Sequence, residues 1–185
     1  MLDESPLKPT AHGLVATGRG WFVLNAREAP WYERGGRGFY CEFEGLEGDQ
    51  PDFSQLGINV QVLRPGEPMS MYHWEVDQED FLVVSGEALL LVEGDERRLR
   101  QWDLVHCPPR TEHTIIGAGD GPCVVVAVGA RDRSTGRDWG GYTVDEAAVR
   151  HGAGVEQETT EPERAYARFG PAKPTRYRDG WLPSD

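Results

Sequence analysis

The stretch HWEVDQE at residues 73–79, read together with His113 further along the chain, decides the fold and function that this sequence predicts. Side chains i and i+2 of a strand point to the same face, so His73 and Glu75 project together. Glu79 opens the next apolar run, and a hairpin between the two strands would return it over the pair. Imidazole and carboxylate are ligands that first-row divalent metals accept. A metal among these groups would also remove the cost of burying an isolated carboxylate.

Short apolar runs surround this stretch. Gly and Pro residues separate the runs, and no segment between residues 39 and 129 has the period of a helix. Strands this short must close or stack to bury their apolar faces, so the pattern predicts an all-β sandwich, jelly roll or barrel. The predicted strands cover residues 21–24, 39–43, 58–63, 71–75, 81–84, 88–92, 104–107, 114–116 and 123–128.

The charge and composition of the chain exclude several classes of partner. Its 31 acidic and 19 basic residues give a net charge of −12, which repels nucleic acid and anionic membranes. No stretch approaches the ~20 apolar residues that a membrane span needs, and the first ten residues do not resemble a signal sequence. Three widely spaced cysteines, Cys41, Cys107 and Cys123, indicate buried thiols in a reducing compartment. We therefore expect a cytoplasmic protein.

Two motifs resemble those of the cupin superfamily: H-x-E-x3-E-x6-G from residue 73 and P-x-R-x2-H from residue 108. The resemblance covers residues 66–117. It implies an all-β, double-stranded β-helix (jelly-roll cupin barrel) spanning about residues 21–130. An irregular N-terminal arm would then occupy residues 1–20. Residues 131–185 would form a polar C-terminal extension with short helices, for which the sequence predicts 143–152 and 160–170.

The resemblance also implies a metal site. In that superfamily a His-x-His pair, a Glu and a later His bind the metal, which implies His73, Glu75, Glu79 and His113 as ligands here. Glu75 stands where the second His is usual, so it could equally be a general base, a group behind the ligands, or a residue turned away. Two His and two Glu form a harder, more negative set than three His and one Glu. Such a set favours one divalent transition metal, iron, manganese or zinc, over copper(I).

Other positions near the motifs are candidates for substrate binding. Strand residues His106 and Cys107 must face opposite ways, and we expect Cys107 to be a buried filler and His106 a wall of the pocket. Arg110, near the mouth of the barrel, could hold a substrate carboxylate, the alternative being a solvated surface arginine. Trp102 and Arg110 also occupy positions where the motif usually has Gly.

These features predict a metal-dependent enzyme of small-molecule metabolism, of dioxygenase or isomerase/epimerase type, acting on a small polar metabolite. Glu75 would be its catalytic proton carrier. One alternative is a non-catalytic sensor or storage protein that binds a small molecule. Another is a 2-oxoglutarate-type iron oxygenase, for which the gap between His73 and His113 is short and no arginine follows His113 closely. We also expect a homodimer, with Trp21, Trp31 and the C-terminal tail at the contact.

Overall fold

The computed structural model describes residues 3–18, 20–43, 55–131 and 138–184. Within these residues, strands are the main regular structure and helices are few. The strands are β1 (Leu7–Pro9), β2 (Leu14–Ala16), β3 (Trp31–Glu33), β4 (Phe39–Glu42), β5 (Leu56–Leu63), β6 (His73–Glu75), β7 (Glu79–Ser85), β8 (Glu87–Val92), β9 (Asp95–Arg100), β10 (Leu104–Cys107), β11 (His113–Ala118), β12 (Cys123–Ala130), β13 (Gly140–Tyr142) and β14 (Lys173–Thr175). Two short helices, α1 (Glu146–Arg150) and α2 (Pro162–Ala165), lie between β13 and β14.

Two antiparallel sheets form the barrel. One has seven strands in the order β10-β7-β12-β5-β4-β3-β14, and the other has five in the order β13-β6-β11-β8-β9. β1 and β2 form a separate hairpin. Strands adjacent in sequence, such as β6 and β7, lie in different sheets, which is the connectivity of a jelly roll. The predicted all-β double-stranded β-helix is confirmed.

The barrel interior is filled by alternate residues of its strands. On β7, Phe81 and Val83 point inward and belong to one buried apolar cluster with Leu90 and Ile115 of the facing sheet. Because i and i+2 share a face, Glu79 at the start of β7 points the same way. The alternation of side chains along β7 therefore places the Glu79 carboxylate in the barrel interior.

The outer faces of both sheets are covered by the ends of the chain. Trp31, fully buried, packs against Tyr177 and Trp181 of the C-terminal tail. α1 covers the other sheet through Ala147 and Ala148. Because the chain's own tail buries Trp31, this residue is not available for the subunit contact that the sequence suggested. No helix in the described ranges is long and apolar enough to cross a membrane.

The ends of the chain differ from the sequence prediction. The run Trp21–Leu24 is not a strand: Trp21 forms one isolated bridge with Glu4, and Val23 is 76% exposed. Conversely, β1 and β2 form a hairpin in a segment predicted to be irregular, where the Thr10 side chain hydrogen-bonds the turn that joins them. Such turn chemistry is local, and a short apolar run carries no information about its partner strand.

Candidate metal centre

His73, Glu79 and His113 converge at one point inside the barrel. His73 and His113 are directly opposite each other on β6 and β11 of the five-stranded sheet. Glu79 reaches them from the seven-stranded sheet. One ligand atom from each of the three lies within 4.8 Å of the other two. The jelly-roll connectivity thus brings together side chains that the sequence separates by up to forty positions.

The three groups approach each other through their free atoms. Glu79 Oε2 lies 3.4 Å from His113 Nε2 and 3.7 Å from His73 Nε2. Glu79 Oε2 and His113 Nε2 are both buried and have no hydrogen-bond partner. Buried polar atoms are seldom left unsatisfied, so this pair requires an explanation. Two nitrogens and one oxygen thus meet at this point.

Backbone carbonyls fix both imidazoles. His73 Nδ1 donates to the Met71 carbonyl at 2.8 Å, and His113 Nδ1 donates to the Thr111 carbonyl at 3.0 Å. A carbonyl only accepts, so each Nδ1 carries the proton and each Nε2 presents its lone pair to the cluster in the neutral ring. Metal-binding histidines are commonly oriented in this way.

Burial and charge shift the acidity of all three groups. Burial, followed by the charge of His73, lowers the pKa of His113 to about 3. Burial raises the pKa of Glu79 to about 7, against the opposing effect of His73. For His73, burial would lower the pKa, but pairing with Glu75 and the charge of Glu79 outweigh it and raise the pKa above 6.5. A neutral His113 can bind a cation through its Nε2 lone pair. A bound cation would also stabilise the ionised form of the Glu79 carboxylate, which burial disfavours.

A divalent transition metal fits this cluster. Its donor set of two imidazole nitrogens and a carboxylate is the type that zinc, iron and manganese accept. Glu75 lies beside it, with Oε1 3.6 Å from His73 Nε2 and a side chain that is 28% exposed. It is thus close enough to act on the same centre while remaining accessible to solvent.

The two candidate substrate-binding residues lie elsewhere. His106 is on the outer face of β10, where its 55% exposed ring donates to Asp80 Oδ1 at 2.6 Å, and Cys107 faces the interior instead. Arg110 is exposed, with its guanidinium carbon 4.9 Å from the centre of the Trp74 ring. The structure therefore does not bring either residue into the cluster.

Sequence reasoning missed an aromatic wall next to His73. Tyr142 of β13 pairs directly opposite His73 on β6, with ring centres 5.9 Å apart, and Trp139 lies 6.2 Å from the same imidazole. Gly140 allows β13 to approach, because a Cβ there would lie 2.1 Å from the Trp74 carbonyl oxygen. No local signal links this segment to the motif; only the long-range pairing of β13 with β6 does.

Two turns near the second motif have a backbone conformation that favours glycine, although neither residue is a glycine. Trp102 and Arg110, which replace its usual glycines, have φ of 74° and 73°. This left-handed conformation favours Gly, so both side chains are held at some cost. The turns have kept the geometry of the motif although the glycines are absent.

A comparison with known protein families found a match over part of the chain. Residues 59–129 match the family model described as "Cupin domain". No curated protein matches the sequence.

Many solved structures are similar to this chain, and three of them serve as examples. The first is a protein provisionally named a sugar phosphate isomerase from Acidithiobacillus ferrooxidans ATCC 23270, at 24% identity and a TM-score of 0.43; the match covers 51% of this chain and 60% of that one. The second is an RmlC-like cupin family protein with a double-stranded β-helix fold from Methanocaldococcus jannaschii, at 22% identity, 42% and 72% coverage and a TM-score of 0.40. The third is a cupin 2 domain-containing protein from Halorhodospira halophila, at 18% identity, 62% and 75% coverage and a TM-score of 0.47.

This chain covers less than two thirds of the first of these proteins. The family match and the two motifs lie on the same strands, β5 to β12, that carry the His-Glu-His cluster. Residues 59–129, which carry all three side chains of the cluster, therefore match the cupin domain.

Proposed function

We propose that this chain binds one divalent transition metal through His73, Glu79 and His113, with Glu75 as a fourth ligand or proton carrier. We propose further that it is a metal-dependent enzyme acting on a small polar metabolite, of dioxygenase or isomerase/epimerase type. The observation that carries the proposal is the convergence of two imidazoles and a carboxylate, of which His113 Nε2 and Glu79 Oε2 are buried without a hydrogen-bond partner.

Each side chain has a role that follows from its surroundings. His73 and His113 are held by backbone carbonyls and keep one nitrogen for the metal. When bound, a metal here supplies Lewis-acid polarisation of a substrate oxygen. Glu75 is partly exposed beside His73, which suits a carboxylate that exchanges protons with substrate and solvent. Trp139 and Tyr142 limit the access of water from the side of β13.

Elemental analysis of protein purified without chelator tests the metal site. We expect close to one equivalent of iron, manganese or zinc in the wild type and a loss of most of it in His113→Ala. His106→Ala is the matched control, because it removes the same group from the exposed face of a neighbouring strand. Metal-free wild-type protein that takes up no metal on reconstitution would refute the proposal.

Glu75→Gln separates the two roles of this residue. If Glu75 is a proton carrier, the variant keeps its metal and loses turnover. If it is a ligand, metal affinity falls as well. A metal-loaded wild-type protein that binds metabolites tightly but converts none would favour the non-catalytic alternative and refute the enzymatic part of the proposal.

A further inference from the structure

The turn between β3 and β4 carries two buried arginines. Arg34 and Arg37 are only 8% and 9% exposed, although they lie in a short Gly-rich turn. The turn is closed by hydrogen bonds from Arg34 N to Gly38 O at 3.0 Å and from Arg37 N to Arg34 O at 2.7 Å. Gly38 has φ of 71°, and a Cβ there would lie 2.2 Å from the Val62 carbonyl oxygen. Because Gly38 has no side chain, the turn can pack closely against β5, and both arginines are buried against the barrel.

Arg34 is held in place but not neutralised. Its Nη1 donates to the Met69 carbonyl at 3.0 Å, and its Nη2 donates to the side-chain oxygen of Gln61. Its guanidinium carbon lies 4.7 Å from the centre of the Tyr40 ring. Its Nε is buried and has no hydrogen-bond partner. All of these contacts are neutral.

Arg37 is stacked rather than paired. Its guanidinium carbon lies 4.1 Å from the centre of the Tyr166 ring and 5.2 Å from that of Phe169. Its Nε is also buried without a partner. Within the described residues no ion pair joins either arginine to a carboxylate, although the charge of Glu42 raises the pKa of Arg34.

This arrangement is costly unless something compensates it. Burial and the neighbouring charge of Arg37 lower the pKa of Arg34 to about 10, so both groups still carry a charge at neutral pH. Buried arginines are rare unless they are paired, and two like charges side by side increase the cost. The guanidinium fork matches the oxygens of carboxylate and phosphate groups. The missing component is therefore an oxyanion.

We propose that Arg34 and Arg37 bind an oxyanion group, carboxylate or phosphate, of the molecule on which the metal centre acts. The identity of this molecule as the substrate rests on the proposed function above. The sequence left the substrate open as any small polar metabolite. Binding by these arginines would restrict it to a small metabolite that carries a negative charge.

The positions of the arginines suit this role. Arg34 donates to the carbonyl of Met69, and His73 donates to the carbonyl of Met71, two residues further along the same segment. Two residues span at most about 7 Å, so the guanidinium and the imidazole are anchored within the length of a small metabolite.

Aromatic rings connect the two groups on a second side. Tyr142 contacts His73 at 5.9 Å and Tyr166 at 5.6 Å between ring centres, and Arg37 stacks on Tyr166. Contacts through these two tyrosine rings thus link Arg37 to His73 of the cluster.

Thermal unfolding of chelator-treated protein tests the proposal without any metal. Inorganic phosphate and succinate are added in separate arms, against sodium chloride at matched ionic strength. At millimolar concentrations we expect at least one of them to raise the Tm by about 3 °C or more. A response to phosphate alone indicates a phosphorylated metabolite, and a response to succinate alone indicates a carboxylate.

Variants assign the response to the two arginines. Arg34→Met and Arg37→Met keep most of the packing volume, and in each we expect the Kd of the active anion to rise at least about 10-fold, by calorimetry. Arg98→Gln, on the exposed outer face of β9, is the matched control and should respond like the wild type. If Arg34→Met does not fold, Arg37→Met and Arg37→Lys carry the test.

The outcomes separate this inference from the proposed function. The inference is overturned if neither anion raises the Tm of the wild type. This is the result expected if acidic residues of the chain itself form ion pairs with the two arginines. It is also overturned if the shift survives in both arginine variants. Metal uptake without an anion response overturns the inference alone. An anion response in a protein that takes up no metal overturns the proposed function and leaves an anion-binding cupin.

Discussion

The barrel interior has two parts that differ in what they contribute to the free energy of folding. In the apolar part, Phe81, Val83 and Ile115 pack with aliphatic residues from both sheets. The polar part contains the His-Glu-His cluster (His73, Glu79 and His113), Glu75 beside it, and the two arginines, Arg34 and Arg37. The boundary runs within single strands: β7 passes from Glu79 to Phe81, and β11 from His113 to Ile115.

This difference separates stability from function. Each apolar side chain that is buried contributes about 1.5–3 kcal/mol to folding, whereas buried charges cost free energy unless a partner compensates them. The polar part contains atoms without partners in two places, at Glu79 and His113 and again at Arg34 and Arg37. We infer that the apolar part stabilises the barrel and that the polar part is completed by a metal and an anion.

The largest expected effect is on stability, in the apolar part. Phe81→Ala removes a ring that is 2% exposed and should lower the free energy of unfolding by about 3–5 kcal/mol, because a cavity replaces its contacts. Urea unfolding measures this. Leu82→Ala, the next residue on the strand but on its outer face, should cost less than half as much. A loss of under about 1 kcal/mol for Phe81→Ala would contradict the division of the interior.

The next effect is on metal affinity, in the polar part. Glu79→Gln removes the carboxylate that faces both imidazoles, so zinc affinity should fall by roughly 100-fold or more. This is a larger loss than is usual for a residue that only orients a metal ligand. Calorimetric titration measures the change. Asp80→Asn, which alters the neighbouring carboxylate paired with His106, should bind zinc like the wild type. Unchanged affinity in Glu79→Gln would exclude this residue as a ligand.

A smaller effect is expected from pH on the metal-free protein. Folding raises the pKa of Glu79 from 4.5 to about 7 and raises the pKa of His73 from 6.5, so the stability from protonated Glu79 is lost by about pH 7 and that from protonated His73 is lost from about pH 6.5 upward. His113, with a lowered pKa, remains neutral in this range. The free energy of unfolding should thus decrease between about pH 6.5 and 8, by at most about 1.4 kcal/mol per pH unit for each group.

The same shift predicts the opposite trend with metal present. Because a bound carboxylate must be deprotonated, stabilisation by zinc should increase over this pH range. Chemical denaturation at several pH values, with and without zinc, measures both trends. Glu79→Gln should flatten the metal-free profile. Metal-free stability that rises between pH 6.5 and 8 would show that these groups are not coupled as described.

The smallest effect is expected outside both parts. Trp102 is 69% exposed and has φ of 74°, so Trp102→Gly should relieve backbone strain and raise the free energy of unfolding by about 1 kcal/mol. Trp102→Ala keeps the strain and loses the same ring, which makes it the control. Equal stabilities of the two variants would show that the turn is not strained.

The sequence predicted the fold and the centre of the site because strand alternation and the spacing of the two cupin-like motifs can be recognised without knowing which strands pair. Alternation placed Glu75 on the same face as His73, and the motif spacing placed Glu79 and His113 nearby. It predicted Cys107 correctly as a buried residue but placed His106 on the pocket wall, whereas His106 faces outward. Leu104, on the same face of the strand as His106, is apolar yet 68% exposed, which removes the contrast between the two faces.

The remaining residues of the polar part could not be predicted for a different reason. Arg34, Arg37 and Tyr142 reach the interior through the pairing of β3, β4 and β13 with distant strands. Their sequence neighbourhoods, a Gly-rich turn and a polar extension, indicate exposed loops. Only the tertiary structure shows that these side chains are buried.

Anomalous diffraction can show whether the three side chains bind one metal. It uses crystals of protein purified without chelator and is recorded at the absorption edge of the metal found by elemental analysis. We expect one strong peak between β6, β7 and β11, about 2.0–2.3 Å from the Nε2 atoms of His73 and His113 and from a carboxylate oxygen of Glu79. A peak bound elsewhere, or these three side chains turned away from one another around no metal, would contradict it.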